Sequence, residues 1–129
     1  MKQSTFKEKY PVWTLELNKD EVKQTSAAEI VEYFKERIEA HPIAKFIAIF
    51  KHYEHTSSLP EHHIAPEIKD IENVIFCFGK EIPTTKVAAV RPRSIGVCEL
   101  EDKFVIEFME APNETLHKVM ENWAKELKV

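Results

Sequence analysis

Two short apolar runs limit what this chain can fold into. FIAIF (46–50) and VIFCF (74–78) contain no polar residue apart from one cysteine. Their bulky residues and their short length favour strands over helices, and Asn73 and Gly79 bound the second run. A strand with one face in water alternates apolar and polar residues. Because these runs do not alternate, we expect them to lie side by side in a sheet, with neither face open to solvent.

The second face of these two strands then needs a cover. Another subunit, the segment 56–72 or a ligand in an apolar pocket could provide it, since large apolar patches commonly mark association sites. The aromatic side chains expected to line this apolar sheet face are Phe46, Phe50, Phe76 and Phe78. The missing alternation therefore predicts burial by a dimer partner or by the segment 56–72, or else a ligand-binding surface.

The first part of the chain predicts a strand followed by a helix. PVWTLELN (11–18) alternates as a half-buried strand does. Ser26 and Glu29 have the spacing of a capping box, which marks a helix start. The apolar residues that follow recur at helical spacing until His41-Pro42, where proline disfavours helical geometry in the residue before it.

The last part predicts a strand pair and a second helix. SIGVCELED and KFVIEFMEA look like paired strands with Glu101 and Asp102 in the turn. Asn113 then caps a helix with an apolar stripe. Strands grouped between two helices indicate an α+β fold, an antiparallel sheet with the helices packed on one face.

Composition narrows the class of protein. Residues 1–129 suit one domain, and the net charge of −4 argues against a nucleic-acid or anionic-membrane partner. No apolar run approaches the length of about 20 residues that spans a bilayer. MKQSTFKEKYPVW lacks the apolar core of a secretory signal. Cys77 and Cys98 lie in apolar segments, which predicts reduced thiols packed in the core of a cytoplasmic protein.

Residues 26–111 resemble the DUF302 family, small bacterial domains of largely unknown function. The resemblance rests on FIAIFKHYEH, ENVIFCFG, KEIPTTKVAAV and RPRSIGVCELEDKFVIEF. Lys80 and Glu81 depart from it, because the family usually has Asn-Pro there. The resemblance implies a TATA-binding-protein-like β-α-β(4)-α arrangement, with one curved antiparallel sheet and two helices packed on one face. It also implies frequent dimerisation but no established reaction, and it makes His55 the first histidine to mutate.

KHYEHTSSLPEHH (51–63) holds four of the six histidines. If the apolar strand continues through it, His52 and His55 point to opposite faces and cannot bind one ion. A transition-metal or haem site would need His55 to meet His62 or His63 across the following turn, with a nearby glutamate as carboxylate ligand. Those glutamates are Glu54, Glu61 and Glu67. The alternative is a strand end and loop with solvated histidines.

The segment 80–93 is basic and could hold a carboxylate or phosphate. A solvated basic loop is the alternative, since surface charges are usually solvated. We expect a non-enzymatic ligand-binding or homodimerising module, with a metal or haem protein as the second hypothesis and a hydrolytic or redox enzyme last. The expected ligand-binding residues are His55, Phe50, Phe76, Phe78, Thr84 and Arg91, and the candidate metal ligands are His55, His62 and His63.

Overall fold

The computed structural model describes all residues 1–129 and confirms the α+β class. Six strands form one antiparallel sheet that does not close into a barrel, and four helices pack on it. The strands are β1 (Lys2–Phe6), β2 (Tyr10–Asn18), β3 (Ala44–Phe50), β4 (Asp70–Phe78), β5 (Arg93–Glu99) and β6 (Lys103–Met109). The helices are α1 (Ala27–Ala40), α2 (His52–Ser57), α3 (Val87–Val90) and α4 (Glu114–Lys125).

The strand order across the sheet is β1-β2-β6-β5-β4-β3, and every neighbouring pair is antiparallel. The two apolar runs are therefore neighbours, as expected, since they form β3 and β4. β1 and β3 are the two edge strands. A register shift between Phe46 and Ala48 marks a bulge in β3 at Ile47.

Helix α1 begins at the predicted cap. The Ser26 hydroxyl accepts a hydrogen bond from the Glu29 N–H at 3.1 Å. In a capping box the Glu29 carboxylate would accept from the Ser26 N–H. Here it accepts from the N–H and the hydroxyl of Thr25 instead. Either way, donors at the start of the helix are satisfied, which stabilises this end of α1.

One face of the sheet, here called the covered face, packs against α1 and α4. On β4 it carries Val74, Phe76 and Phe78, all buried. The ring of Trp123 from α4 stacks on Phe78, and the Tyr33 hydroxyl from α1 donates to the Trp123 carbonyl at 2.7 Å. These contacts join both long helices and the sheet in one apolar core.

The opposite face, here called the open face, departs from the expectation. On β4 it carries Asn73, Ile75 and Cys77, which are half-buried, and on β3 it carries Ala48. Ile47, at the bulge, is 52% exposed. The expectation that both strands lack a solvent-facing side is thus wrong for this chain by itself, because only the short helix α2 packs here, near Phe50 and Asn73, and Ile47 and Ala48 of β3 are left exposed.

The structure also contains elements that the sequence did not predict. β1 pairs with β2 through a turn in which Lys7 and Glu8 both have positive φ, and the Lys9 N–H donates to the Phe6 carbonyl at 3.2 Å. Such turns usually carry Asn-Gly or Asp-Gly, which this segment lacks. The predicted end of a strand at residues 52–57 is instead helix α2.

Candidate functional site

A pocket with a mainly apolar lining lies at one end of the covered face. It has a volume of about 170 Å³ and opens between the end of β4, helix α3, the start of β5 and the start of α4. Its apolar wall consists of Phe78, Val87, Val90 and Leu116, and Arg91, Arg93 and the turn Ala111–Asn113 complete it. We call it the arginine pocket, because it combines an apolar body with two cations.

Arg91 is held in place by backbone groups rather than by a carboxylate. Its Nη1 donates to the Glu81 carbonyl at 2.8 Å. Gly79 has a φ of +113°, and a Cβ at this position would lie 2.6 Å from Nη2 of Arg91. The backbone conformation therefore favours a glycine here, and a larger residue would also displace the Arg91 guanidinium.

Arg93 brings a second cation, and one of its donors has no partner. One guanidinium nitrogen donates to the Met109 carbonyl, whereas Nε is buried and makes no hydrogen bond. Burial lowers the pKa of the Arg93 guanidinium from its ordinary value. Neither Arg91 nor Arg93 lies within 4.0 Å of a carboxylate oxygen, since every salt bridge in the structure involves other cations.

The far wall of the pocket is the start of α4. The Asn113 side chain accepts from the Leu116 N–H at 3.1 Å and so caps the helix. The positive end of the helix dipole adds to the charge of the two arginines. This part of the chain lies 20 or more residues beyond Arg91 in sequence, and only the fold brings the two together.

A buried histidine that the sequence analysis did not single out supports this wall. Nδ1 of His117 accepts from the Ala111 N–H at 3.4 Å, and its Nε2 lies 3.4 Å from a carboxylate oxygen of Glu121. Burial acts to raise the pKa of Glu121, but the hydrogen bond and charge of Lys125 and the charges of Lys118 and His117 lower it overall. Nε2 of His117 and the facing Glu121 oxygen are both buried and make no hydrogen bond, so only Nδ1 ties the ring to the turn that lines the pocket.

The structure separates the predicted ligand-binding residues. Phe78 and Arg91 line the arginine pocket. Phe76 is fully buried in the core behind Phe78, and exposed Thr84 uses its hydroxyl to accept from the Lys86 N–H just before α3. The four phenylalanines do not line one face, because Phe50 pairs with Asn73 on the open face while the others lie on the covered face.

The histidine-rich stretch has a different geometry from the one expected. In α2, His52 and His55 lie three residues apart on a helix and share a face, and both rings contact Phe50. The sequence-based expectation of opposite faces is therefore wrong. Nδ1 of His62 contacts the Leu59 carbonyl, and His63 is exposed. No group of three or more His, Cys, Asp or Glu side chains in the structure is arranged to hold a metal ion.

His52 is the histidine that the structure orients best. Its Nδ1 lies 2.9 Å from the Asn73 side-chain oxygen, and the Asn73 amide donates to the Ser94 hydroxyl at 3.0 Å. With the Asn73 oxygen facing the ring, a neutral His52 makes this hydrogen bond as the Nδ1–H tautomer. Gly96 leaves room for this amide, since a Cβ there would lie 3.3 Å from it.

The two cysteines lie on the open face and not in the core as predicted. Both are free and half-buried. Cys98 pairs with Ile71, six positions along β4 from Cys77, so the thiols are about 20 Å apart and cannot form a disulfide. Burial and, after it, the charges of Glu107 and other acids raise the pKa of Cys98 to about 11. Such a thiol is a poor nucleophile.

The structure is a small α+β fold with a partly apolar pocket lined by two arginines, and no group of side chains in it is arranged as a metal centre. The whole chain, residues 1–129, matches the model of DUF6858, a family of unknown function, and the protein belongs to that family. The comparisons give no support to DUF302 in particular. No curated protein and no solved structure matches the chain, and no helix has the length and apolar character required to cross a bilayer.

Proposed function

We propose that this protein is a non-enzymatic binding module for a small carboxylate with an apolar body, and that the arginine pocket is its binding site. The observation that carries the proposal is that Arg91 and Arg93, neither of which has a carboxylate partner, line a largely apolar pocket. A carboxylate bound there would supply the missing counter-charge.

The charges around the pocket favour an anion. Two of the three arginines of the chain line it, and neither has a carboxylate partner. Arginine donates in a planar fork that matches the two oxygens of a carboxylate. The hydrogen bond from Arg91 to the Glu81 carbonyl orients its guanidinium, which lowers the entropy lost on binding.

The size and the apolar wall favour a compact ligand. The pocket volume of about 170 Å³ is close to that of an apolar cavity of about 150 Å³ that accepts benzene. Phe78, Val87 and Leu116 would contact the ring or branched chain of the ligand. An aromatic or short branched monocarboxylate fits this combination of size and charge, and benzoate is a suitable probe.

Titration of the protein with benzoate tests the proposal. We expect a dissociation constant of about 10 µM to 1 mM, as for other small ligands. Phe78 lines the pocket and stacks on Trp123, so binding should change the tryptophan emission. Benzamide has nearly the same shape but no charge, and it should bind at least about tenfold more weakly, which corresponds to the loss of one charge-assisted contact.

Two arginine variants provide the matched comparison. Arg91→Gln should weaken benzoate binding about tenfold or more. Arg37→Gln removes a cation of the same type that pairs with Glu126 away from the pocket, and it should leave binding unchanged. Equal affinity for benzamide and benzoate, or unchanged binding by Arg91→Gln, would contradict the proposal.

A further inference from the structure

We propose that the free edge of β1 is a self-association site, at which two copies of this chain pair their β1 strands antiparallel about a twofold axis. The site is distinct from the arginine pocket, since β1 is at the opposite side of the sheet from β4 and β3. The occupant is a second copy of the chain, because the sequence of β1 is complementary to itself in the register that its backbone allows.

The two sheet edges differ in how they are protected. β3 carries a bulge at Ile47 and leads directly into α2, and both features disturb the row of backbone groups that another strand would need. β1 has five fully extended residues with no bulge, no proline and no covering element, and all five are exposed. Natural proteins usually block an edge of this kind or use it for pairing.

The backbone of β1 fixes the available register. Pro11, opposite Thr5, has no N–H, and its carbonyl accepts from the Glu110 N–H on the far side of β2. Thr5 therefore has no backbone partner in β2. Along an antiparallel strand, the backbone N–H and C=O groups of successive residues point alternately to its two sides. Gln3, two residues before Thr5, therefore points the same way as Thr5, and both present their N–H and C=O groups to the free edge.

In an antiparallel pair these groups meet when Ser4 lies on the twofold axis. Gln3 of one copy then exchanges two hydrogen bonds with Thr5 of the second copy, and symmetry repeats the exchange, which gives four bonds in all. In the same register Lys2 lies opposite Phe6 of the second copy. A cation opposite an aromatic ring is favourable. Lys7 of the same chain as Phe6 also lies over this ring, with its Nζ 5.5 Å from the ring centroid, so the repulsion between the two lysines offsets part of that gain.

A cysteine at the axis tests this register. Ser4→Cys should give a disulfide-linked dimer under mild oxidation, because residues in a pair without hydrogen bonds have Cα atoms about 4.5 Å apart, within the range of a disulfide. Thr5→Cys is the matched control. Its two cysteines would be displaced from each other by two residues along the strands, with Cα atoms about 8 Å apart, which is too far for a disulfide. Peptide mapping separates a bond at position 4 from one at Cys77 or Cys98.

A proline variant tests whether the edge drives association of the unmodified protein. Sedimentation velocity should show a dimer for the natural chain at concentrations up to about 500 µM. This concentration range covers dissociation constants in the micromolar range and weaker. Thr5→Pro removes an outward N–H from each copy without removing a bond to β2, and it should raise the dissociation constant about 30-fold. Circular dichroism checks that this variant is folded.

Several outcomes would overturn the proposal. A natural chain that stays monomeric over this concentration range would do so. So would a folded Thr5→Pro variant that dimerises as tightly as the natural chain, or Thr5→Cys that cross-links as readily as Ser4→Cys. Benzoate binding is measured separately and does not depend on any of these results.

Discussion

Successive residues of β4 meet two very different environments. Phe76 and Phe78 point to the covered face and have almost no contact with solvent, whereas Ile75 and Cys77 point to the open face and are half-buried. The helices α1 and α4 provide the packing on one side only. The stability of the sheet therefore depends mainly on one face, and the other is free to carry polar groups such as Asn73.

The largest expected effect of this difference is on the free energy of unfolding, measured for two neighbouring substitutions. Phe76→Ala should lower the free energy of unfolding by about 3 to 5 kcal/mol, because it leaves a cavity in the core. Ile75→Ala, one residue away, should cost about 1 kcal/mol, since its side chain already meets water in part. Urea denaturation measures both. Equal losses would mean that the two faces are equally covered in solution.

The next largest effect concerns the alkylation rate of Cys98, a thiol on the open face. With a pKa of about 11, Cys98 should have about a hundredth of the thiolate of an ordinary cysteine of pKa 9 at pH 8. Alkylation by iodoacetamide should be slower by a similar factor in the folded protein and return to the ordinary rate in urea. Alkylation at an ordinary rate in the native protein would indicate that Cys98 is more solvated and farther from acids than the structure shows.

The smallest effect concerns the polar groups of the open face. Asn73→Ala removes its hydrogen bonds to His52 and Ser94 and should lower the free energy of unfolding by about 1 kcal/mol. Neutral His52 should also lose its preference for the Nδ1–H tautomer, and ¹⁵N NMR of the imidazole measures this change. His63→Ala, at an exposed histidine of the same stretch, is the control and should change neither property.

Much of the fold could be predicted from local patterns. The Ser26 and Asn113 caps, the alternation in β2 and β6 and the turn at Glu101–Asp102 all depend on neighbouring residues, and the structure confirms each of them. β1 was missed because its turn lacks the usual residues. Helix α2 was missed because a six-residue helix after an apolar strand has too few residues for a periodic pattern.

The candidate site was only partly accessible from the sequence. Phe78 and Arg91 stood out through the apolar run and the basic segment, but Leu116 and the turn before α4 complete the pocket through the fold alone. The missing alternation in FIAIF predicted a strand that is buried on both faces of the sheet. The bulge at Ile47 gives another reason, since an extra residue shifts the alternation and leaves an isoleucine largely in solvent.

That same bulge decides how far any strand-to-strand assembly of this protein could extend. A sheet that accepts a neighbour at both rims can polymerise into a ribbon, whereas a sheet with one usable rim stops after a single addition. The irregular backbone around Ile47 closes the second rim. Concentrated solutions should therefore fill with pairs and stay clear, and straightening β3 by deleting Ile47 would be the change that lets filaments grow.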